Sequence, residues 1–445
     1  MNGPAPDFER WVPSRFNAIS YSDRKELIVY NSYTGGIASF SGEEISEVLA
    51  ALRTSRIDGE LSDEQLTLHE LGFIVSSQVD EDRRAQFLHQ SMHRTDLMHL
   101  VILPTEACNF RCTYCYESFP RGNMTDAAKS GLQNYVEKQA SHLNQLSVSW
   151  FGGEPLLALD TIGELSEAFL HSAMKYKVSY TADMTTNGYY LTQQVFQQLL
   201  CWSIKRFMIT IDGPEAAHDA RRFLRDGGKT FSRILGNLIE ISKLSDEFEV
   251  HIRVNFDQSN LDEIKELVRN ISRLFSGDKR FQVFFRPVGR WGGIHDEELP
   301  VCDPKMADSK MWEFAAFGLD HKLAMSSFFE SSLMPAGSVC YAAKPHSLVV
   351  GSNGRLYKCT VALEEASNQI GHLHSDGTAQ LDYDKLALWT TSGEEQDENC
   401  RSCFYRPACQ GNHCPLYRMR TGLRPCPFEK RQIKKVLKLI WENHR

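Results

Sequence analysis

The chain of 445 residues carries 49 Lys and Arg against 57 Asp and Glu, a formal charge of −8, and is 42% hydrophobic. Such a length supports a large core in roughly two to four units, and the acidic balance argues against a nucleic-acid-binding surface as the main theme. No stretch is apolar over the length a membrane span needs, and the start "MNGPAPDFERWVPSRF" shows no basic-then-apolar signal, so a cytoplasmic protein with no membrane and no nucleic-acid partner is expected. Twelve cysteines in that compartment point to metal or cluster ligation rather than disulfides. Three lie at 108 to 115 and seven between Cys340 and Cys426, with Cys201 and Cys302 apart, and short spacings are what multidentate sites need.

Residues 1–80 read as a small mixed domain. "KELIVYNSYTGGIASF" gives two strands around Gly35 and Gly36, "SGEEISEVLAALR" a helix capped by Ser41, "SDEQLTLHEL" a second helix, and "GFIV" a terminal strand. This order resembles the winged-helix leader-recognition domains of peptide-modifying enzymes, and a structural cap is the alternative. Residues 81–97 read as a charged linker helix, in which His89 and His93 lack an evident third ligand for a metal. From 98 to 289 six strands, "MHLVILP", "LSVSWF", "VSYTADMTT", "KRFMITI", "EVHIRVNF" and "FQVFFRPV", alternate with helices. That order implies a parallel sheet curled into a partial barrel with its chemistry at the C-terminal strand ends. Residues 290–339 form a bridging region with a helix in "SKMWEFAAFGLDHKLAMSSFF". Residues 340–428 are short hairpins such as "SLVVGSNGRLYKC" among cysteine-rich loops, too small for a large core without bound metal centres. Residues 429–445 suit an amphipathic helix packed on the barrel, rather than a membrane-docking segment. Cys201, in "QQLLCWSI", reads as a buried helical residue.

"EACNFRCTYCYES" spaces Cys108, Cys112 and Cys115 as C-x3-C-x2-C. A closed tetrahedral site wants four protein ligands, whereas a [4Fe–4S] cluster on three thiolates keeps one iron open for a substrate or cofactor; a zinc loop is the alternative for the triplet alone. The spacing, with Tyr114 just before the last cysteine, resembles the radical S-adenosylmethionine (radical SAM) enzymes. The resemblance implies that the open iron chelates S-adenosylmethionine, and that its reductive cleavage yields a 5′-deoxyadenosyl radical able to abstract hydrogen from a C–H bond.

Further motifs follow on successive strands. "WFGGEP" resembles the family's Gly-Gly-Glu-Pro segment: Gly152 and Gly153 let backbone approach the ligand, and Glu154 offers a carboxylate to the methionyl ammonium. "TTNG" supplies Thr186 and Asn187 for the cofactor's polar end. "TIDGP" resembles the ribose-approaching Ser/Thr-x-Asp-Gly segment through Thr210 and Asp212. Arg253, near Asn255, suits the cofactor carboxylate, and Pro287, Val288 and Gly289 suit the adenine. Each alone could be a turn glycine or a strand-end polar residue, Thr210 and Asn255 above all, but their order on successive strands is hard to explain otherwise. The catalytic residues that act on substrate are unknown at this level.

Toward the C-terminus, Cys340, Gly354 and Cys359 follow C-x13-G-x4-C, and Cys400, Cys403, Cys409 and Cys414 follow C-x2-C-x5-C-x4-C, with Cys426 last. This resembles the seven-cysteine SPASM domain, which holds two auxiliary [4Fe–4S] clusters; a zinc ribbon is the alternative. The last spacing departs from the family's usual C-x3-C. The resemblance implies an outer cluster on Cys400, Cys403, Cys409 and Cys426 and an inner one on Cys340, Cys359 and Cys414, with Cys302 a weaker candidate for its fourth ligand.

The expectation is therefore an α/β protein: a partial (β/α)6 radical SAM barrel, a Cys-rich SPASM domain and a small α+β winged-helix-like N-terminal domain. Its implied partners are a precursor peptide or protein and an electron donor such as flavodoxin or ferredoxin. Its implied activity is an oxidoreductase that matures a ribosomally made peptide by thioether or carbon–carbon crosslinking. Peptide epimerisation and formylglycine formation are the alternatives within the class. Anaerobic sulfatase maturases place an Asp directly after the cysteine that here is Cys359, and this chain has Thr360 there. A non-catalytic metal-stabilised binding or electron-transfer protein is the alternative from another class.

Overall fold

The computed structural model describes residues 10–325 and 327–444; residues 1–9 of the expected N-terminal domain, Ser326 of the bridging region and Arg445 of the expected C-terminal helix lie outside the described residues. The chain divides into two compact units, Met1–His93 with Ser327–Lys344 and Thr391–Arg445, and Arg94–Ser326 with Pro345–Thr390. The division runs through the cysteine-rich stretch, which contributes to both.

In the second unit all six strands read from the sequence form, as β1 (Leu97–Ile102), β2 (Gln145–Trp150), β3 (Ser179–Thr186), β4 (Ile204–Thr210), β5 (Glu249–Phe256) and β6 (Phe281–Pro287). They pair in parallel and in chain order, as right-handed βα crossovers dictate. Three further features were not evident in the sequence. Ala324–Met325 (β7) extends the sheet in parallel beyond β6. Ser347–Val350 (β8) pairs in parallel with β1. Arg355–Tyr357 (β9), Gln369–Leu373 (β10) and Ala379–Leu381 (β11) then continue it antiparallel, so the predicted hairpin 347–357 lies within the barrel sheet, which has eleven strands among the described residues. Gly354 turns that hairpin at φ +82°, where a Cβ would lie 2.9 Å from Leu373 O, which explains why glycine stands there.

The barrel strands alternate. Met98, Leu100, Ile102, Leu146, Val148 and Trp150 are buried under the helices, while His99, Ser147 and Ser149 on the other face are half-buried. Sheets buried on both faces read as near-continuous apolar runs; here the inner face is polar and satisfies itself across strands. Ser149 Oγ donates to Asp183 Oδ2 at 2.9 Å, His99 Nε2 lies 3.1 Å from Ser149 Oγ, and Ser347 Oγ lies 3.0 Å from His99 Nδ1. Three of the helices start on side-chain caps: Thr125 for Asp126–Ala140, Thr192 for Gln193–Cys201, and Asp303 for Pro304–Asp320, where the proline occupies the first turn. That last cap starts the helix before the predicted "SKMW", and it ends at Asp320, short of the predicted "MSSFF". Cys201 ends its helix exposed, not buried, because Phe196 and Leu199 take the core phase.

In the first unit, Asn17–Tyr21, Leu27–Asn31 and Ile37–Phe40 form one antiparallel sheet, and Ile57–Asp58, Arg10–Pro13 and Ile74–Ser76 another. The Asn31 side chain joins the two by donating to Ser14 Oγ, Asn17 Oδ1 and Gly72 O. Leu27, Val29, Val48, Ala51, Leu68, Phe73 and Ile74 are the core. Helix Glu44–Arg53 starts three residues after Ser41 and has no side-chain cap; instead Ser41 N–H donates to Glu44 Oε2. Helix Asp63–Glu70 has a full capping box between Ser62 and Gln65. The linker helix is Glu81–Ser91, and its His89 Nδ1 lies 3.7 Å from Glu394, a buried carboxylate that Arg406 also pairs.

The C-terminal helix Ile433–Asn443 packs on strand Asn17–Tyr21, not on the barrel. Ser20 Oγ donates to Lys434 O, and Trp441 Nε1 to Glu26 Oε2. Val436, Leu437, Leu439 and Ile440 form its buried stripe. Leu437→Ala is expected to lower stability by about 2–4 kcal/mol, read as a shift of the urea midpoint in fluorescence.

Candidate active site

The loop bearing Cys108, Cys112 and Cys115 follows the C-terminal end of β1. It is held by a short ladder between Phe110–Cys112 and Arg222–Leu224, by Cys115 N–H on Cys112 O at 3.1 Å, and by Phe110 N–H on Cys108 Sγ at 3.4 Å. All three cysteines line one cavity of about 140 Å³, with Gly152 and Gly153 after β2, Thr186 and Asn187 at the end of β3, Thr210 on β4 and Arg253 on β5. Parallel strands in chain order bring these sequence-distant residues to one level.

Gly152 and Gly153 serve backbone packing. A Cβ on Gly152 would lie 2.3 Å from Thr105 O, and one on Gly153 2.3 Å from Ala107 O, so the two glycines let the β2 end press on the segment that leads into Cys108. Glu154 differs from the expected free ligand for an ammonium group. It is fully buried, and accepts from Leu156 N–H at 3.0 Å, Thr186 Oγ1 at 2.7 Å and Asn187 N–H at 2.7 Å. Those donors offset a burial that raises its pKa, and the carboxylate ties the ends of β2 and β3 together. Asn187 Nδ2 in turn donates to Asn109 Oδ1 at 2.8 Å, beside Cys108.

Tyr114 is the hub of the loop's other side. Its hydroxyl donates to Asp212 Oδ2 and accepts from Arg222 Nη1 at 2.8 Å and Asn255 Nδ2 at 3.1 Å. Asp212 is fully buried, also accepts from Asn255 N–H at 3.0 Å, and anchors Tyr114 instead of lining the cavity. Arg253 Nε donates to Thr210 Oγ1 at 3.1 Å. Val288 is buried on Phe256 O through its N–H and does not line the cavity, because β6 ends to one side of it.

Two arginines were missed in the sequence. Arg222 lines the cavity, stacks over Phe110 at 5.7 Å, and keeps a buried Nε with no partner among the described residues. Arg221 lies over the Tyr114 ring at 5.2 Å and gives Nη1 to both oxygens of Asp257 at 2.9 Å. The only available signal was two adjacent arginines shortly after Asp212. A second cavity, of about 1080 Å³, adjoins the first, and Cys112, Cys115, Tyr116, Glu117 and Phe119 border both. Burial and Glu106 push the Glu117 carboxyl up to about 8.

These residues fit an iron–sulfur cluster. Burial pushes the Cys108 and Cys115 thiols up to about 12 and raises Cys112, so thiolates here need a metal to offset the lost hydration. Among the described residues no three His, Cys, Asp or Glu side chains converge on a single metal ion. Three thiols spaced around one cavity suit a cube that holds its ligands apart, and the free Arg222 N–H suits an anionic group beside it.

In the first unit Cys400, Cys403, Cys409 and Cys426 are neighbours, and their mutual charge adds to the burial that pushes Cys409 up to about 12. Lys430 Nζ donates to Cys426 Sγ at 3.2 Å. The extra residue before Cys414 is absorbed by two consecutive left-handed residues, Gln410 and Gly411. Cys340 belongs to the same unit as Cys414, and Cys359 to the other, where Asn368 grips its N–H and C=O at 2.9 and 2.7 Å. Cys302 is half-buried near Asp257 and Asp303.

Gly153→Ala is expected to displace the Cys108 segment, so that purified protein loses roughly a cluster's worth of iron while far-UV circular dichroism is unchanged. Tyr114→Phe leaves Arg222 and Asp212 without their shared hydroxyl and is expected to destabilise by about 1–3 kcal/mol, measured by urea unfolding.

The family model of the Radical SAM superfamily matches residues 102–271. The chain is 23% identical over 355 residues to the serine-type anaerobic sulfatase-maturating enzyme of Klebsiella aerogenes, covering 73% of this chain and 81% of that protein. It is 25% identical over 337 residues to the AdoMet-dependent heme synthase of Nitratidesulfovibrio vulgaris, 71% of this chain and 87% of that one. Among solved structures, native anSMEcpe with bound AdoMet superposes with a TM-score of 0.58 at 19% identity, over 78% of this chain and 99% of that chain. A further structure of it, with AdoMet and the Cp18Cys peptide, gives 0.57 at the same identity and coverage of both chains. The cysteine loop on β1, the strand ends that meet it and the family match make residues 102–271 a Radical SAM domain, which implies a [4Fe–4S] cluster and S-adenosylmethionine as cofactors.

Proposed function

We propose that the protein is a peptide maturase that uses radical chemistry to install a crosslink, thioether or carbon–carbon, in a ribosomally made precursor peptide. The observation that carries this reading is the pair of adjoining cavities: a small one bordered by the three cysteines, and one of about 1080 Å³ that shares its wall and has room for a polypeptide segment. When bound, the cluster and S-adenosylmethionine supply a 5′-deoxyadenosyl radical. The chain's own residues position them. Cys108, Cys112 and Cys115 hold the cluster; Thr186, Asn187, Thr210 and Arg253 line the cofactor's place, with Arg253 as the carboxylate partner; Glu154, Tyr114 and Asp212 keep the strand ends and the loop in register. Cys400, Cys403, Cys409 and Cys426, and Cys340, Cys359 and Cys414, are proposed as the ligands of two auxiliary clusters.

Similarity to sulfatase-maturating enzymes, and the peptide bound in one structure of the same fold, support a polypeptide substrate. They also favour a second reading, formylglycine formation. The residue after Cys359 weighs against it, since Thr360 offers no carboxylate to take a proton. In the N-terminal unit, strand Ile37–Phe40 is an edge of its sheet, which supports capture of a leader segment by β-augmentation.

Anaerobically reconstituted protein is expected to hold about twelve irons and to form 5′-deoxyadenosine under reduction, whereas the Cys108→Ala/Cys112→Ala/Cys115→Ala variant holds about eight and forms none. Incubated with its precursor peptide, the enzyme should lower the peptide mass by two hydrogens without loss of sulfur. A hydroxylamine-reactive aldehyde in place of a thiol, or of a serine hydroxyl with the same loss of two hydrogens, would establish formylglycine formation, and unchanged mass with an inverted residue would establish epimerisation. Zinc in place of iron with no cofactor cleavage would overturn the enzyme reading.

A further inference from the structure

The loop that follows β6 leads away from the cofactor cavity and forms part of the mouth of the larger one. It is a built loop. Arg290 Nε donates to Asp296 O at 2.7 Å and Nη2 to Leu299 O at 3.2 Å, and Gly292 N–H donates to Asp296 Oδ2 at 2.6 Å. It also lies directly on the cysteine loop, because a Cβ on Gly293 would fall 2.8 Å from Cys115 O and 3.2 Å from Tyr116 Cα. From this pinned base Ile294, which lines the cavity, projects 88% exposed, while the Trp291 ring lies back over Gly289 outside the lining. An exposed apolar residue on an open surface needs no explanation, but one held out by a hydrogen-bonded loop into a cavity beside the reaction centre, with Leu299 and Pro300 in the same lining, presents an interaction surface.

The carboxylates that line the cavity are not all matched. Asp257 is paired by Arg221 and Glu364 by Arg121 at 3.3 Å, burial holds the Glu117 carboxyl up, and Glu263 and Glu298 remain. Arg221 is spent on Asp257, and Arg111 Nη1 on the carbonyls of Cys108 and Phe110 at 2.9 and 2.6 Å. Glu263 makes no ion pair among the described residues, and Glu298 faces only His295, at 3.6 Å. An apolar tip within an acidic rim is complementary to a segment that alternates apolar and basic residues.

We propose that this loop selects the substrate: the segment entering the larger cavity carries an apolar side chain that seats on Ile294, and a neighbouring Lys or Arg that pairs with Glu263 and Glu298. The inference rests on the peptide-maturase reading and deepens it to a substrate class.

The test uses two short fluorescein-labelled peptides identical but for charge, leucine flanked by arginines or by glutamates, titrated with the reconstituted holoenzyme in anisotropy. The basic peptide is expected to bind about tenfold or more tighter at low salt, with the advantage shrinking as salt rises. Ile294→Ser should weaken it by about tenfold, and Glu263→Gln/Glu298→Gln should bring the two peptides to within about threefold of each other; both variants should keep full iron and full reductive cleavage of S-adenosylmethionine. Equal affinity for both peptides, preference for the acidic one, binding of neither, or wild-type selectivity in both variants would each overturn the proposal. The maturase reading is judged separately, by cofactor cleavage and by the mass of the precursor peptide.

Discussion

Everything at the reaction centre depends on one close backbone approach. Gly152 and Gly153 lie so near the carbonyls of Thr105 and Ala107 that no side chain fits between, and Glu154 N–H closes the contact on Ala107 O at 2.9 Å. The segment into Cys108 is thereby fixed to β2, and the buried Glu154 carboxylate carries that fixation on to β3. A thiolate loop must hold its ligands in place before metal arrives, and a loop pinned by backbone contact has little conformational freedom left to lose. The polar inner face serves the same end. Because His99, Ser149 and Asp183 satisfy one another across the sheet, the barrel interior does not have to fill with branched apolar side chains as closed barrels do.

Much of this was legible in the sequence, for identifiable reasons. The six strands announced themselves by apolar alternation and by polar or glycine-bearing ends, and the cysteine spacing fixes ligand number whatever surrounds it. Local signals also gave the helix in "SDEQLTLHEL" and the hairpin in "SLVVGSNGRLYKC". Tertiary partnerships were not legible. The internal partners of Glu154 were hidden because its three donors come from the end of β3 and from its own turn. Arg222 was missed because a lone guanidinium has no periodicity and gains meaning only from the hydroxyl of Tyr114, a hundred residues earlier. Ser41 lost the cap role to a helix start three residues later, and Val288 lost its place at the cavity because strand order does not reveal which strand end is turned aside. The placement of β8 beside β1, and of the last helix on the first strands, joins segments hundreds of residues apart, and no window of sequence encodes it.

The small and large cavities have different chemistry although they share a wall. The first is bordered by thiols, hydroxyls and arginines and suits groups of opposite charge held tightly. The second is mostly carboxylate and apolar surface, suited to a longer and more variable guest. Fold similarity at 19% identity fixes the barrel and leaves the choice of guest to the loops. The loops after β4, β5 and β6 line the larger cavity.

The helix Ile433–Asn443 covers strand Asn17–Tyr21. During synthesis those first strands emerge hundreds of residues before the helix that shelters them, so the N-terminal sheet spends most of translation with an apolar face in water. Short sheets with an uncovered face are aggregation-prone intermediates. That sheet is thus expected to be fully covered only once residues 433–443 have been made, after all twelve cysteines, so the N-terminal unit closes late relative to the synthesis of its own thiols.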